Sequence, residues 1–349
     1  MSKKVMIRDV AIGAGNPVAI QSMSNVESHD EKGILRQISE LKEAGCDIVR
    51  LAVPDREALE VFKRVRGKTD VPLVADIHFD YRLVLGALKA GADKIRINPG
   101  NIGSRDRVRR VVEAAAERNI PIRVGVNSGS LEKDIVKKNG GVTAEGLAES
   151  AMRNVGMLED MGYDNLVISM KASDVKMTFD AHKIASKMTE HPFHIGITEA
   201  GTIRRGKVKS AAGMGGLLLS GIGDTIRVSL TADPVEEVLF AAELLEAISM
   251  RESPYDLISC PTCGRTGIDL ESLAAEVDNR LSRMKDLPAG IKIAVMGCVV
   301  NGPGESAESD FGCCGGNGKG VIFAKGKVVR TVAEENLADE LIKVIREGI

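Results

Sequence analysis

"AGADKIRINP", residues 90–99, holds a helix end and a strand in ten letters. Gly91 tolerates the left-handed backbone that closes a helix, and the run after it is short and apolar, as a buried strand is. The unit recurs along the chain. Apolar runs rich in Val and Ile stand at 18–23 (VAIQSM), 48–53 (IVRLAV), 72–77 (PLVADI), 94–99 (KIRINP), 121–126 (PIRVGV), 165–171 (NLVISMK), 193–198 (FHIGIT) and 225–230 (TIRVSL). Helical patterns such as EKGILRQISELKEAG and RDRVRRVVEAAAERN lie between them, and AGCD and MGYD repeat the helix-to-strand turn. Alternating strands and helices build a parallel sheet. Eight such units predict a (β/α)8 TIM barrel, with a doubly wound open sheet as the alternative. KKVMIRDVAIG, ahead of the first run, predicts a small hairpin over the barrel floor.

Composition excludes several classes of function. The chain has 349 residues, Lys+Arg 47 against Asp+Glu 49, a net charge of −2 and no Trp. That balance argues against a nucleic-acid or membrane-surface binder. No apolar run reaches the ~18 residues of a transmembrane helix. MSKKVMIRDVAIG lacks the unbroken apolar core of a signal peptide. The expectation is a cytoplasmic protein. In such reducing surroundings six cysteines point to metal or redox chemistry rather than to a disulfide framework.

In a TIM barrel the chemistry sits at the C-terminal ends of the strands. Those ends carry Gln21 and Ser22, Arg50, Asp76 and His78, Arg96 and Asn98, Arg123 and Asn127, and Ser169 and Lys171. His194, Thr198, Glu199, Arg227 and Ser229 complete the ring. An internal ion pair with Asp76 or Glu199 would explain any one of Arg50, Arg96, Arg123, Lys171 and Arg227. It does not explain five charges set in or beside apolar strands. An anionic ligand, most simply a phosphate or diphosphate, accounts for the set. His78 and His194 read as hydrogen-bonded strand residues rather than metal ligands, and Cys46 as a small buried hydrophobe.

After residue 254 the repeat stops, giving a division into 1–254 and 255–349. The remainder predicts a compact α+β domain. It begins with SCPTCGRTGIDL (259–270), a helix at 271–285 and a strand at 291–298. The loop VVNGPGESAESDFGCCGGNGKG (299–320), a hairpin at 321–332 and a C-terminal helix follow. Cys260 and Cys263 admit three readings: a redox dithiol, a zinc site and an iron–sulfur centre. Cys298 with Cys313 or Cys314 could complete four ligands. The glycine-rich turn after Cys298 favours a cluster, since it lets backbone N–H groups approach sulfur. The adjacent pair Cys313 and Cys314 does not form the second Cys-x-x-Cys of a zinc ribbon. Read without context, Glu305 is a solvated loop acid.

Seven motifs together resemble the 4-hydroxy-3-methylbut-2-enyl diphosphate synthase family, iron–sulfur enzymes of the non-mevalonate isoprenoid pathway. They are QSM (21–23), VADIHF (74–79), IRINPGN (95–101), IRVGVNSGSL (122–131), HIGITEAG (194–201), CPTCGR (260–265) and GCVVNGPGE (297–305). The resemblance implies a barrel joined to a cluster domain in a homodimer, with the active site shared between subunits. It implies a [4Fe–4S] cluster on Cys260, Cys263, Cys298 and Glu305, and reduced flavodoxin or ferredoxin as electron donor. The implied substrate is 2-C-methyl-D-erythritol 2,4-cyclodiphosphate. On this reading Arg50, Arg96, Arg123, Lys171 and Arg227 clamp the diphosphate, and Asn98, Asn127 and Ser229 add hydrogen bonds. Glu199 becomes the expected proton donor, with Asp76 and His78 as orienting partners. The chain departs from the family pattern at Cys313 and Cys314, where small apolar residues are usual, and at SNVESHD after QSM. The alternative is a TIM-barrel sugar-phosphate enzyme with a structural zinc module.

Overall fold

The computed structural model describes residues 1–284, 286–298, 308–316 and 318–349. Two compact units divide the chain, Met1–Arg251 and Glu252–Ile349.

The first unit opens with the expected hairpin, β1 (Val5–Ile7) and β2 (Val10–Ile12). Parallel strands follow: β3 (Ala19–Met23), β4 (Ile48–Ala52), β5 (Leu73–Asp76), β6 (Lys94–Ile97), β7 (Ile122–Asn127), β8 (Leu166–Lys171), β9 (His194–Ile195) and β10 (Thr225–Ile226). They are ordered β8-β7-β6-β5-β4-β3-β10-β9. A parallel bridge from Ile168 to Phe193 brings the ring round. The TIM barrel is therefore the fold, and each of the eight apolar runs holds one of its strands, β7 running one residue beyond its run. β9 and β10 are shorter than their runs, and just beyond β9 Gly196 packs its backbone directly on the segment after β10. A Cβ there would lie 2.4 Å from the carbonyl oxygen of Arg227.

Strand alternation separates two environments. Outward residues such as Val49, Leu51, Ala75, Ile95, Ile97 and Val124 join the helices in one apolar core. Inward residues at the lower strand ends, Ala19, Ile48, Val74 and Val167, pack against Val5, Ile7 and Ile12 of the hairpin. The hairpin is thus the barrel floor. The turns AGCD, AGAD and MGYD place Gly45, Gly91 and Gly162 at φ of 94, 89 and 80°. The aspartates of two of them then anchor the neighbouring strand. Asp47 accepts from Ile20 N at 2.7 Å, and Asp93 from Leu73 N at 2.8 Å.

The second unit is the expected α+β domain. Its sheet runs β11 (Tyr255–Ser259), β12 (Ile291–Met296), β13 (Phe311–Gly316), β14 (Lys319–Ala324) and β15 (Lys327–Ala333). The first three strands are parallel and the last three antiparallel. Helices Leu270–Leu281 and Leu337–Gly348 cover one face. β13 corrects the sequence reading, which put FGCCGG in a loop. Its glycines serve close packing. A Cβ on Gly315 would lie 2.6 Å from Ile268, and one on Gly320 of β14 would lie 2.3 Å from Leu337.

Ile7 is fully buried in the floor, and truncating it opens a cavity there. Ile7→Ala should cost about 2–5 kcal/mol in urea unfolding, whereas Met6→Ala, on the exposed side of the same strand, should cost little.

Candidate active site

Above the apolar floor the barrel interior turns polar. The inward positions are Arg50 on β4, Asp76 on β5, Lys94 and Arg96 on β6, Arg123 on β7, and Ser169 and Lys171 on β8. Of the residues expected at the site, Arg50, Asp76, His78, Arg96, Arg123, Asn127, Lys171, Arg227 and Ser229 line one cavity of about 120 Å³. Gly125, Ser169 and Thr198 line it too. Gly125 and Gly196 make room for cations. A Cβ at 125 would fall 2.7 Å from Arg96 Nε, and one at 196 would fall 2.8 Å from Lys171 Nζ. Asn98 and Glu199 do not line the cavity. Asn98 caps a short helix, its Oδ1 accepting from Gly100 N at 3.1 Å. Glu199 is exposed beside Thr198, with its backbone in the left-handed region at φ 50°. Strained positions of this kind concentrate at functional sites.

The charges in the barrel do not balance. Among the described residues the cations Arg50, Lys94, Arg96, Arg123, Lys171 and Arg227 face two carboxylates, Asp76 and Glu237. Asp76 is 5 % exposed. Its Oδ2 lies 3.7 Å from Arg50 Nε and its Oδ1 3.3 Å from Arg96 Nη1. His78 Nε2 is 3.5 Å from the same carboxylate. Burial opposes ionisation of Asp76, but His78, Arg50 and Arg96 outweigh it and hold the carboxyl well below its usual range. Glu237 Oε2 lies 3.6 Å from Arg227 Nη2, while its other oxygen accepts from Leu230 N at 2.7 Å.

Arg123 has no carboxylate partner among the described residues. It is 1 % exposed, and its Nε and Nη2 make no hydrogen bond. Burial, then the Arg50 and Arg96 charges, push its pKa well down. A guanidinium keeps its proton, so the shift expresses the cost of holding that charge unpaired. Nε of Arg96 and of Arg227 are orphaned as well. Buried donors without a protein partner around one cavity are groups that an anion would satisfy. Behind the cavity Lys171 Nζ lies 3.2 Å from His194 Nε2, and His194 Nδ1 lies 2.8 Å from Thr225 Oγ1. Burial and Lys171 keep His194 neutral. As the sequence suggested, it is a hydrogen-bonded strand residue.

Two charged groups of the barrel escaped the sequence reading. Lys94 shares the inward face with Arg96, and the alternation in KIRI was the signal for it. Glu237 lies on helix Pro234–Ala247, and nothing in its pattern marked it.

In the second unit Cys260 follows β11 and Cys298 follows β12. The parallel pairing of Ser259 with Val295 sets both thiols at the same end of adjacent strands. Gly297 N–H donates to Cys260 Sγ at 3.3 Å. Gly267 N donates to Gly297 O at 3.0 Å, which ties the CPTCGR loop to β12. Cys263 is exposed, and hydrogen bonds from Arg265 and Thr266 hold its thiol below the ordinary value. Thiols at strand ends with N–H groups aimed at sulfur fit an iron–sulfur centre. Cys313 and Cys314 face opposite sides of β13. Cys313 lies in the helix-covered core and burial pushes it up to about 12, whereas Cys314 packs with Met296 and Cys260 on the other face. Glu305 lies outside the described residues. Among the described residues no three His, Cys, Asp or Glu side chains converge as metal ligands. Cys46 is buried and pushed up to about 12, as a structural thiol is.

Comparisons with known proteins cover the whole chain. The GcpE TIM-barrel domain matches residues 2–242, and the GcpE protein C-terminal domain matches residues 256–347. A Caldanaerobacter subterraneus subsp. tengcongensis protein named 4-hydroxy-3-methylbut-2-en-1-yl diphosphate synthase (flavodoxin) is 52% identical over 349 residues, covering 100% of this chain and 98% of the relative. The Bacillus subtilis protein of the same name is 51% identical, over 99% of this chain and 90% of its own length. Among solved structures, dihydropteroate synthase of Yersinia pestis superposes with a TM-score of 0.52 at 13% identity, covering 71% of this chain and 98% of that one. That likeness is one of fold.

The charge balance gives opposite signs for two substitutions. Arg123→Met removes an unpaired buried charge and should raise stability by about 1–4 kcal/mol while weakening anion binding. Asp76→Asn leaves Arg50 and Arg96 unpaired and should cost about 3–5 kcal/mol at pH 7. Because the folded pKa of Asp76 is lowered, its contribution is present above the ordinary carboxylate pKa. The gap between wild type and Asp76→Asn should therefore shrink as pH falls below about 4. Denaturant titrations at several pH values check both signs.

Proposed function

This chain belongs to the GcpE family, and from that premise we propose that it performs the reductive ring opening and dehydration of 2-C-methyl-D-erythritol 2,4-cyclodiphosphate. The product is 4-hydroxy-3-methylbut-2-enyl diphosphate, a step of non-mevalonate isoprenoid biosynthesis, and the enzyme is an oxidoreductase. The observation that carries the reading is the surplus of buried positive charge around the barrel cavity. The substrate's diphosphate supplies the missing counter-charge.

The residues divide the work. Arg50, Arg96, Arg123, Lys171 and Arg227 bind the diphosphate, and Asn127 and Ser229 line the same cavity as hydrogen-bonding partners. Asp76 positions Arg50 and Arg96 and holds His78 at the rim. Asn98 fixes the chain after β6. Glu199, exposed on the loop after β9, is the proton donor in this proposal. Cys260, Cys263, Cys298 and Glu305 would hold a [4Fe–4S] cluster, which would relay the donor's two electrons one at a time and offer a Lewis-acidic iron. The N–H of Gly297 aimed at Cys260 supports Cys260 as one of these ligands. Reduced flavodoxin, carried in the relatives' names, or ferredoxin delivers the electrons. The proposal assigns substrate binding to 1–254 and the cluster to 255–349, and includes a cytoplasmic homodimer with its active site shared between subunits. No helix among the described residues is long and apolar enough to cross a membrane. Family membership sets aside the zinc-module alternative.

Anaerobically purified protein tests this. We expect brown absorbance that dithionite bleaches, about four irons and four sulfides per chain, and turnover of the cyclodiphosphate. A colourless protein with stoichiometric zinc would overturn the assignment. Cys313→Ala should keep the full iron content, because its thiol lies in the helix-covered core. Cys260→Ala and Cys298→Ala should lose it.

A further inference from the structure

Lys94 is a buried charge to which the proposed reaction gives no task. It stands two residues before Arg96 on β6 and shares its inward face, beneath the cavity rather than on its wall. It is 0 % exposed. Its hydrogen bond goes to a neutral acceptor, Gln21 Oε1 at 2.9 Å, and Nε2 of the same amide has no partner. The charged and titratable groups facing Lys94 are Arg50 on β4, Arg123 on β7 and His194 on β9. No ion pair joins Lys94 to a carboxylate among the described residues. Below it lies the apolar floor of Ala19, Ile48, Val74 and Val167.

Burial without a counter-charge works against the ammonium form of such a lysine. Arginine neighbours do not give up their protons, whereas a buried ammonium does. Burial, then Arg123 and Arg50, all act on Lys94 in that direction. Lys171 differs, because it reaches the cavity and meets the ligand directly. Lys94 meets neither ligand nor solvent, so it responds only to the charge above it. An incoming diphosphate reverses the sign of that charge.

We propose that Lys94 is a positioning residue for the diphosphate, neutral in the ligand-free barrel and protonated when the anion enters. One N–H bond forms with a proton from solvent, no substrate bond breaks and no electron moves. The new ammonium balances the bound anion from beneath. This rests on reading the cavity as a diphosphate site. The sign is fixed: a complex that favours the protonated lysine binds more weakly as pH rises.

Isothermal titration calorimetry of the full chain with inorganic pyrophosphate, in buffers of different ionisation enthalpy at pH 8, reads the proton count. Titration of pyrophosphate itself is common to every variant and cancels in differences. Wild type should take up about one proton more per bound anion than Lys94→Met or Lys94→Gln. Its Kd should rise between pH 7.5 and 9 by up to about tenfold per pH unit. Equal proton counts in wild type and variants would overturn the inference and place the uptake at Lys171 or His194. If neither variant folds, the wild-type Kd is referred to the fully ionised pyrophosphate at each pH, and a Kd so corrected that does not weaken over that range overturns the inference alone. Failure of wild type to bind pyrophosphate would instead overturn the diphosphate-site reading on which the inference stands.

Discussion

The inside of the barrel carries more positive charge than its own carboxylates can balance. Asp76 pairs with Arg50 and Arg96 and Glu237 with Arg227, while Arg123 has no carboxylate partner among the described residues, and nitrogens of Arg96, Arg123 and Arg227 are buried without a hydrogen bond. Unpaired charge in a low-dielectric interior is costly. A fold that holds it must be stabilised elsewhere, and here the apolar outer core and the plugged floor do that. The cost also has a use. Donors fixed by strands need no reorganisation when an anion arrives, so binding energy is not spent on ordering them.

Much of the local design follows from holding these cations in place. The inward glycines at 125 and 196 clear the volume that Arg96 and Lys171 occupy. Asp76 sits between Arg50, Arg96 and His78, and is the one carboxylate among the described residues that lines the cavity. The hairpin seals the lower end with Val5, Ile7 and Ile12, which leaves the polar layer access from the other end of the strands. Sites at strand C-termini are the general habit of this fold, and the alternation of side chains along each strand places the charged layer there.

The barrel was legible because its strands are apolar on the outward face and its turns repeat a Gly-x-Asp signal. The five cations that line the cavity were legible because charge inside an apolar strand demands a reason. Lys94 was less legible, since it stands at the start of β6 and not at the strand end where this fold places its chemistry. β13 was unreadable from composition: its glycines serve the close seat of Ile268 and Leu337, a tertiary requirement that local propensity does not carry. The same strand explains why Cys313 and Cys314 could not be told apart in sequence. Strand pleating sends them to opposite faces, one into the helix-covered core and one toward Met296 and Cys260.

The central claim is that this surplus of charge exists for a diphosphate, and thermal unfolding with the cyclodiphosphate tests it most directly. At about 100 times its Kd the ligand should stabilise the protein by about 2.7 kcal/mol, while the phosphate-free 2-C-methyl-D-erythritol should leave the midpoint where it was. An unmoved midpoint with the cyclodiphosphate, or an equal shift with the neutral tetrol, would contradict the account.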